Sequence, residues 1–327
     1  MNSAKKPLVI TGATVEQHRS RAEILSSLAA LIAEYKASFL PITGGSNSLG
    51  AWLAGAVPHR APGGVIVDAK EKETSVFQKQ GEFYFLLGFD PALDCATNHE
   101  LMRSLKSADF VVALTAFDTE SLRDGADLML PIALFPENEG TLVNGFGRHQ
   151  YYESAVRPPA DVRSAWKILR KLGGDIGLDG FDAVLCGDIT RELPECLPLA
   201  ELSEIEKKSA AAPVLEKNTK GLLEVLVEVA PYSVDQLVRH ADSLQKMPLS
   251  GGDCIRISEY SASGLHLSDG DRVGLESKSS RAIGRIQIDN RVPRHTCVLA
   301  GGRPSLMDVA RNGSSVRIFS MQGDSLA

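Results

Sequence analysis

The sequence lacks the closely spaced cysteines that hold iron–sulfur clusters and structural zinc ions. Its 327 residues include five cysteines, and the nearest two, Cys186 and Cys196, are ten positions apart. Because both kinds of site need several nearby thiolates, neither is predicted within this chain. An odd number of cysteines without a disulfide framework is typical of a reducing compartment. We therefore interpret most of the cysteines as small core residues.

The sequence also lacks a membrane-spanning apolar run and an excess of basic charge. No apolar stretch approaches the ~20 residues that a transmembrane helix needs, so direct membrane insertion is not expected. The N-terminal sequence MNSAKKPLVITG has two lysines and a short apolar run, which is typical of a first strand rather than a signal peptide. The net charge of −6 argues against nonspecific nucleic-acid binding.

Recognisable catalytic motifs are missing as well. The seven histidines are dispersed, with none in an HxxxH pattern or beside a cysteine, so no metal ligand can be assigned. No GxSxG nucleophile elbow occurs, and hydrolase chemistry has no support in the sequence.

The first half of the chain alternates short apolar segments with helical patterns. Helices are predicted over residues 15–35 and 98–106, and strands over residues 7–12, 38–43, 64–68, 83–87 and 110–116. Strands that are apolar on both faces and alternate with helices indicate an α/β fold with a doubly wound, mostly parallel sheet. Ligands of such folds bind beyond the carboxyl ends of the strands.

A Gly/Ser loop, GGSNSLG at residues 44–50, follows the second predicted strand and precedes a predicted helix. Free backbone N–H groups at such a place can hold an anion. The loop matches neither a P-loop nor GxGxxG, so a structural role is favoured. Binding of a phosphate-bearing ligand is the alternative.

A segment rich in polar residues, LPIALFPENEGTLVNGFGRHQY, occupies residues 130–151. It is predicted to run from a buried strand through an acidic turn into a hairpin, in which the two glycines beside Phe146 supply positive φ angles. Around the turn lie Glu137, Glu139, Thr141, Asn144 and Arg148. A plain hairpin does not need so many polar groups, so the segment is interpreted as a ligand cradle or the remnant of one.

The second half of the chain predicts a separate domain. Before that domain, within the α/β part of the chain, a helix is predicted to begin near Asp161 and to end at Gly173-Gly174. Residues 1–190 are assigned to the α/β domain, 191–220 to a linker and 221–327 to a small barrel. The barrel prediction rests on a helix over residues 233–245 and on strands over residues 222–229, 254–257, 272–276, 282–289, 296–299 and 316–319.

Several of these segments together resemble a known family. ADLMLPIALFPENEGTLVNGFGRHQ and AVRPPADVRSAWKILRKL resemble the molybdopterin oxidoreductase superfamily, and EYSASGLHLSDGDRVGLES resembles the double-psi β-barrel that ends its members. APYSVDQLVRHADSLQ and LAGGRPSLMDVARNG are similar to segments of the G-subunit family of bacterial NADH:quinone oxidoreductase, respiratory complex I.

The resemblance implies a noncatalytic, structural part of the G subunit. Members of that family carry iron–sulfur clusters in an N-terminal part that this sequence does not contain, and those clusters pass electrons from NADH towards quinone. No cofactor is therefore expected in this chain. The implied partners are the other peripheral-arm subunits of complex I. The implied location is the cytoplasmic side of the inner membrane, as a peripheral part of the complex.

The resemblance also gives the polar hairpin two interpretations. In cofactor-bearing relatives, positions matching Gly140, Thr141, Asn144 and Arg148 lie near the pterin. Here Gly145-Phe146 replaces a polar-acidic pair, and the first barrel strand lacks the Thr-Gly-Arg element that grips the cofactor. We expect a vestigial cradle that holds no cofactor. The alternative is a molybdopterin-dependent oxidoreductase fragment that completes a pterin site with another chain.

Overall fold

The structure is a computed structural model that describes residues 4–18, 20–42, 44–57, 60–67, 83–95, 98–159, 161–193, 221–278 and 280–321. Contacts divide the chain into two compact units. The first comprises Met1–Glu16, Leu25–Phe89 and Ser104–Ala210; the second comprises Gln17–Ile24, Asp90–Arg103 and Ala211–Ala327. The boundaries drawn from the sequence stay a prediction, and residues 194–220 of the predicted linker lie outside the described residues.

The strands of the first unit are mostly parallel. Strands β1 (Leu8–Thr11) and β2 (Ser38–Pro41) form a parallel pair. Strands β3 (Phe83–Leu87), β4 (Phe110–Thr115) and β5 (Leu128–Pro131) form a parallel sheet with β4 at its centre. An antiparallel hairpin of β6 (Gly140–Val143) and β7 (His149–Tyr152) follows.

Burial explains which strand predictions succeed. Residues 111–115 of β4 are all buried, as expected for a central strand with neighbours on both sides. The edge strand β5 is only partly buried, and Leu128 is 42% exposed, so the expectation of a buried strand there is wrong. The strand predicted over 64–68 is also wrong at its described residues: Pro62–Gly64 forms a 3₁₀ turn, and an isolated bridge joins Arg60 to Ile66. Residue 68 lies outside the described residues.

Helices of four to fifteen residues lie between and after the strands of this half of the chain. They are α1 (Ala13–Glu16), α2 (Arg21–Tyr35), α3 (Ser48–Leu53), α4 (Asn98–Lys106), α5 (Glu120–Gly125), α6 (Ala165–Asp175) and α7 (Cys186–Thr190).

Two helix predictions in this half of the chain need correction. The helix predicted over 15–35 is broken, because the Nδ1 atom of His18 accepts a hydrogen bond from the backbone N–H of Ser20 at 3.0 Å and α2 begins after it. Helix α6 begins at Ala165 rather than near Asp161, and it continues through Gly173-Gly174 to Asp175. Gly173 is needed for close packing rather than for ending the helix: a Cβ there would lie 2.2 Å from the Phe181 ring.

The second unit contains a closed barrel of six strands. These are β8 (Leu223–Val229), β9 (Cys254–Ile257), β10 (Arg272–Glu276), β11 (Arg281–Ile288), β12 (Thr296–Gly301) and β13 (Ser315–Ser320). Around the barrel the order is β10-β11-β9-β12-β8-β13. The pairs β8–β12 and β9–β11 are parallel and the other pairs are antiparallel. The predicted fold class, an α/β unit followed by a double-psi-like barrel, is confirmed.

The barrel core is built by period-two alternation. Along β11 buried and exposed residues alternate from Arg281 to Gln287, and the inward side chains join a cluster that includes Ile255, Ile257 and Leu299, each fully buried. The helix predicted over 233–245 is instead two short ones, α8 (Gln236–Arg239) and α9 (Asp242–Gln245); α10 (Glu259–Gly264) follows β9.

Candidate functional site

The acidic turn that precedes the hairpin is held by its own side chains. The carboxylate of Glu137 accepts a hydrogen bond from the backbone N–H of Leu134 at 2.9 Å. The amide of Asn138 donates to the carbonyls of Ala133 and Leu134, at 2.8 and 3.0 Å. These bonds stabilise the 3₁₀ turn Phe135–Glu137 between β5 and β6. The carboxylate of Glu137 and the amide N–H groups of Asn138 therefore satisfy the local backbone, whereas the buried Oδ1 atom of Asn138 has no hydrogen-bond partner among the described residues.

The first strand of the hairpin is fixed by contacts with its neighbours. Gly140 faces Tyr152, and a Cβ at this position would lie 2.8 Å from the tyrosine oxygen, so the glycine permits a close approach. The hydroxyls of Thr141 and Thr190 lie 3.1 Å apart, and that of Thr190 also donates to the carbonyl of Cys186. Thr141 thus ties β6 to α7.

Asn144 closes the turn of the hairpin with its side chain. Its Oδ1 accepts from the backbone N–H groups of Phe146 and Arg148 at 3.0 and 3.1 Å. Its Nδ2 donates to the side chain of Gln150 at 3.2 Å. Of the two glycines beside Phe146, Gly147 has a positive φ of 77° and Gly145 does not, so the turn needs a glycine at one position rather than two.

The outer side chains of the hairpin contrast with this bonded interior. Phe146 at the tip is 89% exposed, and Arg148 is exposed as well. The hydroxyl of Tyr151 donates to the carboxylate of Glu139 at 3.0 Å. That hydrogen bond raises the pKa of Tyr151 above its usual value, with a smaller contribution from desolvation.

The surroundings of the nearby cysteine, Cys186, disfavour its thiolate form. The Sγ atom of Cys186 lies 3.8 Å from the carbonyl oxygen of Glu139. Burial raises the pKa of Cys186, the charge of Glu139 raises it further, and Lys167 lowers it less. The thiol therefore stays protonated at neutral pH. Across the part of the chain that the structure describes, no three His, Cys, Asp or Glu side chains gather as a metal site would require.

The Gly/Ser loop makes a long-range contact that sequence reasoning missed. The Oδ1 atom of Asn47 accepts from the backbone N–H of Val143 at 2.8 Å, across 96 positions of the chain. The hydroxyl of Ser48 donates back to the carbonyl of Gly45. The sequence predicted a structural or anion-binding role for the loop backbone, and it predicted no role for the Asn47 side chain. That side chain joins the loop to the hairpin.

The four residues predicted near a pterin are thus neighbours in the hairpin with different roles. Gly140 packs on Tyr152, Thr141 binds Thr190, Asn144 binds the turn, and Arg148 extends from the tip region. A molybdopterin needs a convergent set of free donors. The side chains of Thr141 and Asn144 do not fit that requirement, because both are already hydrogen-bonded within the protein. The assignment of these residues as a site stays a prediction.

The first unit is an α/β unit with parallel strands, and a polar hairpin follows its strand β5. The second unit is a closed barrel with two parallel strand pairs. The protein is therefore of the class that combines an α/β unit with a β-barrel. The sequence profile of the molybdopterin oxidoreductase family matches residues 1–175, more than half of the chain. This protein belongs to the molybdopterin oxidoreductase family.

Two relatives show how the similarity is distributed. A G subunit of the NADH-quinone oxidoreductase of Rhizobium meliloti is 26% identical over 293 residues, covering 76% of this chain and 33% of the relative. A formate dehydrogenase subunit alpha of Methanocaldococcus jannaschii is 29% identical over 179 residues, covering 48% of this chain and 26% of the relative. The resemblance to the G subunit is confirmed. The chain is also similar to the formate dehydrogenase subunit alpha. The chain spans about a quarter to a third of the length of these relatives.

A solved structure supports the same fold. Acetylene hydratase from Pelobacter acetylenicus matches with a TM-score of 0.55 over 77% of this chain and 45% of that chain, at 15% sequence identity. At this identity the likeness concerns the fold alone. Within the described residues, no helix is both long and apolar enough to cross a bilayer.

Proposed function

We propose that this protein is a noncatalytic structural part of a G-type subunit in a proton-pumping NADH:quinone oxidoreductase. The observation that carries the proposal is the reach of the similarity to the G subunit, which covers three quarters of this chain. The formate dehydrogenase similarity covers less than half. On this proposal, electrons from NADH to quinone pass through iron–sulfur clusters outside this chain, and the chain itself holds no cofactor.

The hydrogen bonds of the hairpin support a structural role. Three side chains of this segment are already used: Asn144 holds two backbone N–H groups, Glu137 holds another and Thr141 pairs with Thr190. Releasing such a group to bind a ligand costs about 1 kcal/mol or more for each bond that is lost. A hairpin stabilised in this way suits a scaffold better than a cofactor site.

The partners that follow are other peripheral-arm subunits of the complex. The chain would lie on the cytoplasmic side of the inner membrane, as a peripheral part of the complex. Large side chains such as Phe146 and Val184, 89% and 71% exposed, are available for contacts of this kind.

The experiment is purification of the affinity-tagged full chain from its native host under mild detergent. We expect the tag to recover an assembly that oxidises NADH with a quinone acceptor and contains iron. Recovery of the chain alone, with the NADH:quinone activity eluting elsewhere, contradicts the proposal. An untagged strain controls for nonspecific binding to the resin.

The second candidate is a molybdopterin-dependent oxidoreductase fragment that shares a pterin site with another chain. The formate dehydrogenase similarity favours it. Arg148 is the member of the predicted set whose exposed side chain remains available for such a ligand. The test is pterin fluorescence and molybdenum analysis of the purified protein, comparing wild type with Arg148→Ala.

Arg157→Ala is the matched control, because it removes another exposed arginine beyond the hairpin. Pterin present in wild type and in Arg157→Ala but lost in Arg148→Ala supports this second candidate. Protein without molybdenum and pterin in all three samples counts against it.

A further inference from the structure

The barrel unit has a groove of about 1100 Å³ that the proposed function does not use. It lies where β8 and β12 begin, and α10 forms one of its walls. Leu222, Leu265 and Val292 contribute its apolar surface, whereas Tyr260, Arg294 and His295 contribute aromatic and basic groups. A groove of this volume accommodates a small organic molecule.

The arginine in the groove is held without using its hydrogen-bond donors. The guanidinium carbon of Arg294 lies 4.4 Å from the centroid of the Tyr260 ring, in a cation–π contact. Among the described residues it has no carboxylate partner, in contrast to Arg291, which is bonded to both oxygens of Asp289. Stacking restrains the guanidinium while its edge N–H groups stay free, which is the arrangement that binds an anion in a bidentate way.

The wall that carries these groups is itself well ordered by hydrogen bonds. The backbone N–H of His295 donates to the hydroxyl of Ser261 at 3.2 Å, and that hydroxyl lies 3.1 Å from the hydroxyl of Ser258. The imidazole of His295 meets the Tyr260 ring edge to face, with centroids 5.5 Å apart. Tyr260, Arg294 and His295 therefore form one preorganised cluster.

The acidic side chain of the groove is already partnered. Glu259 accepts from the side chain of Asn290 at 3.3 Å, and its backbone N–H donates to the same asparagine at 3.1 Å. The Glu259 carboxylate keeps its negative charge but is bonded to the side chain of Asn290, whereas the guanidinium of Arg294 has no hydrogen-bond acceptor among the described residues. Arg294 is therefore the group in the groove that can bind an anion.

We propose that this groove binds a small organic anion, a phosphate or carboxylate borne on a flat apolar body. Arg294 would pair with the anionic group beside His295, and the body would lie against Leu222, Leu265 and Val292. A phosphate without an apolar body would bind more weakly, because it leaves the apolar wall in water.

Phenyl phosphate is a suitable probe, since it carries a dianionic head on an aromatic ring. We expect saturable chemical-shift changes in the full chain on titration, with an affinity about tenfold higher than for inorganic phosphate. Arg294→Ala should weaken phenyl phosphate binding at least about tenfold, since a charge-assisted bidentate contact is lost. Leu265→Ala should weaken phenyl phosphate binding and leave inorganic phosphate binding unchanged.

Arg291→Ala is the matched control, because Arg291 lies in the same loop and is paired with Asp289. It should bind phenyl phosphate as the wild type does. The proposal is overturned if phenyl phosphate gives no saturable change at about 10 mM. Equal losses in Arg294→Ala and Arg291→Ala, which indicate a diffuse charge effect, also overturn it.

Discussion

The side-chain oxygen of Asn47 accepts a hydrogen bond from the backbone N–H of Val143 at 2.8 Å. Asn47 lies in the Gly/Ser loop before α3. Val143 is the last residue of β6, and it is 1% exposed. The position of the Asn47 side chain requires a glycine at residue 50, because a Cβ there would lie 2.1 Å from the same Asn47 oxygen. Loop, helix and hairpin are thus connected through one amide.

Asn47→Ala should lower the free energy of unfolding by about 1–3 kcal/mol, because the buried N–H of Val143 then has no acceptor. Urea denaturation followed by circular dichroism measures the loss. Ser48→Ala is the control: its exposed hydroxyl bonds locally to Gly45, and we expect a change of about 0.5 kcal/mol or less. Equal stability of Asn47→Ala and wild type would show that the bond does not stabilise the fold.

Asn144→Ala should destabilise the hairpin by about 1–2 kcal/mol, because the backbone N–H groups of Phe146 and Arg148 both lose their acceptor. Amide hydrogen exchange of β6 and β7 should accelerate accordingly. Phe146→Ala, two positions away and nearly fully exposed, should leave exchange and stability close to wild type. Faster exchange in Phe146→Ala than in Asn144→Ala is the contrary result.

Ile257→Val should cost about 0.5–1.5 kcal/mol of stability, because it removes a methyl group from a fully buried position in the barrel core. The same substitution at Ile283, which is 44% exposed on the neighbouring strand β11, should cost much less. Thermal unfolding of the two variants measures how the cost of the same Ile→Val substitution depends on the burial of the side chain. Matching losses would contradict the inward orientation of Ile257.

The carboxyl of Asp289 should resist protonation. Hydrogen bonds from the side chain and then the backbone of Arg291 lower the pKa of Asp289 to about 2. An unfolded aspartate has a pKa of about 3.9. The lowered pKa of Asp289 therefore stabilises the folded state above that pH, and this stabilisation is lost as the pH falls towards about 2. Carboxyl carbon NMR of Asp289 measures the midpoint.

Arg291→Ala should move that midpoint upward, towards the ordinary value. Arg281→Ala, which removes an exposed arginine paired with Glu276, should leave the titration of Asp289 unchanged. An unchanged midpoint in Arg291→Ala would assign the low pKa to another cause.

Cys297 should be inert in the native protein. It is fully buried in the barrel, and burial raises its pKa to about 12. At about pH 8 we expect iodoacetamide to modify it only after unfolding. Cys254, half-buried at the start of β9, should react faster because reagent reaches it more easily. Mass spectrometry of tryptic peptides distinguishes the two, and native labelling of Cys297 would contradict its burial.

Local patterns made much of the fold predictable. Residues 110–116 form a continuous apolar run because β4 has neighbours on both sides, and the alternation along β11 reflects the inside and outside of the barrel. The hairpin was predictable because its turn chemistry lies within a few residues, with Asn144 and Gly147 at its centre. The failures were the start of α6, the breaks within the helices predicted over 15–35 and 233–245, the strand predicted over 64–68 and the burial of the edge strand β5. At these places contacts outside the local window decide the structure.

By itself, the sequence determined the α/β-plus-barrel class, the family, the hairpin and the absence of clustered cysteines in this chain, because each depends on spacing along the chain. Only the tertiary structure decided what the polar groups of the hairpin bind. Thr141 is hydrogen-bonded to Thr190, and Asn47 to Val143. These partners are 49 and 96 residues apart in the sequence, so no local pattern encodes the contacts. The same holds for the stacking of Arg294 on Tyr260, which leaves the donors of one arginine free while its neighbour Arg291 is paired. Hydrogen-bond satisfaction depends on which groups folding brings within about 3 Å, and that distance is a property of the folded chain.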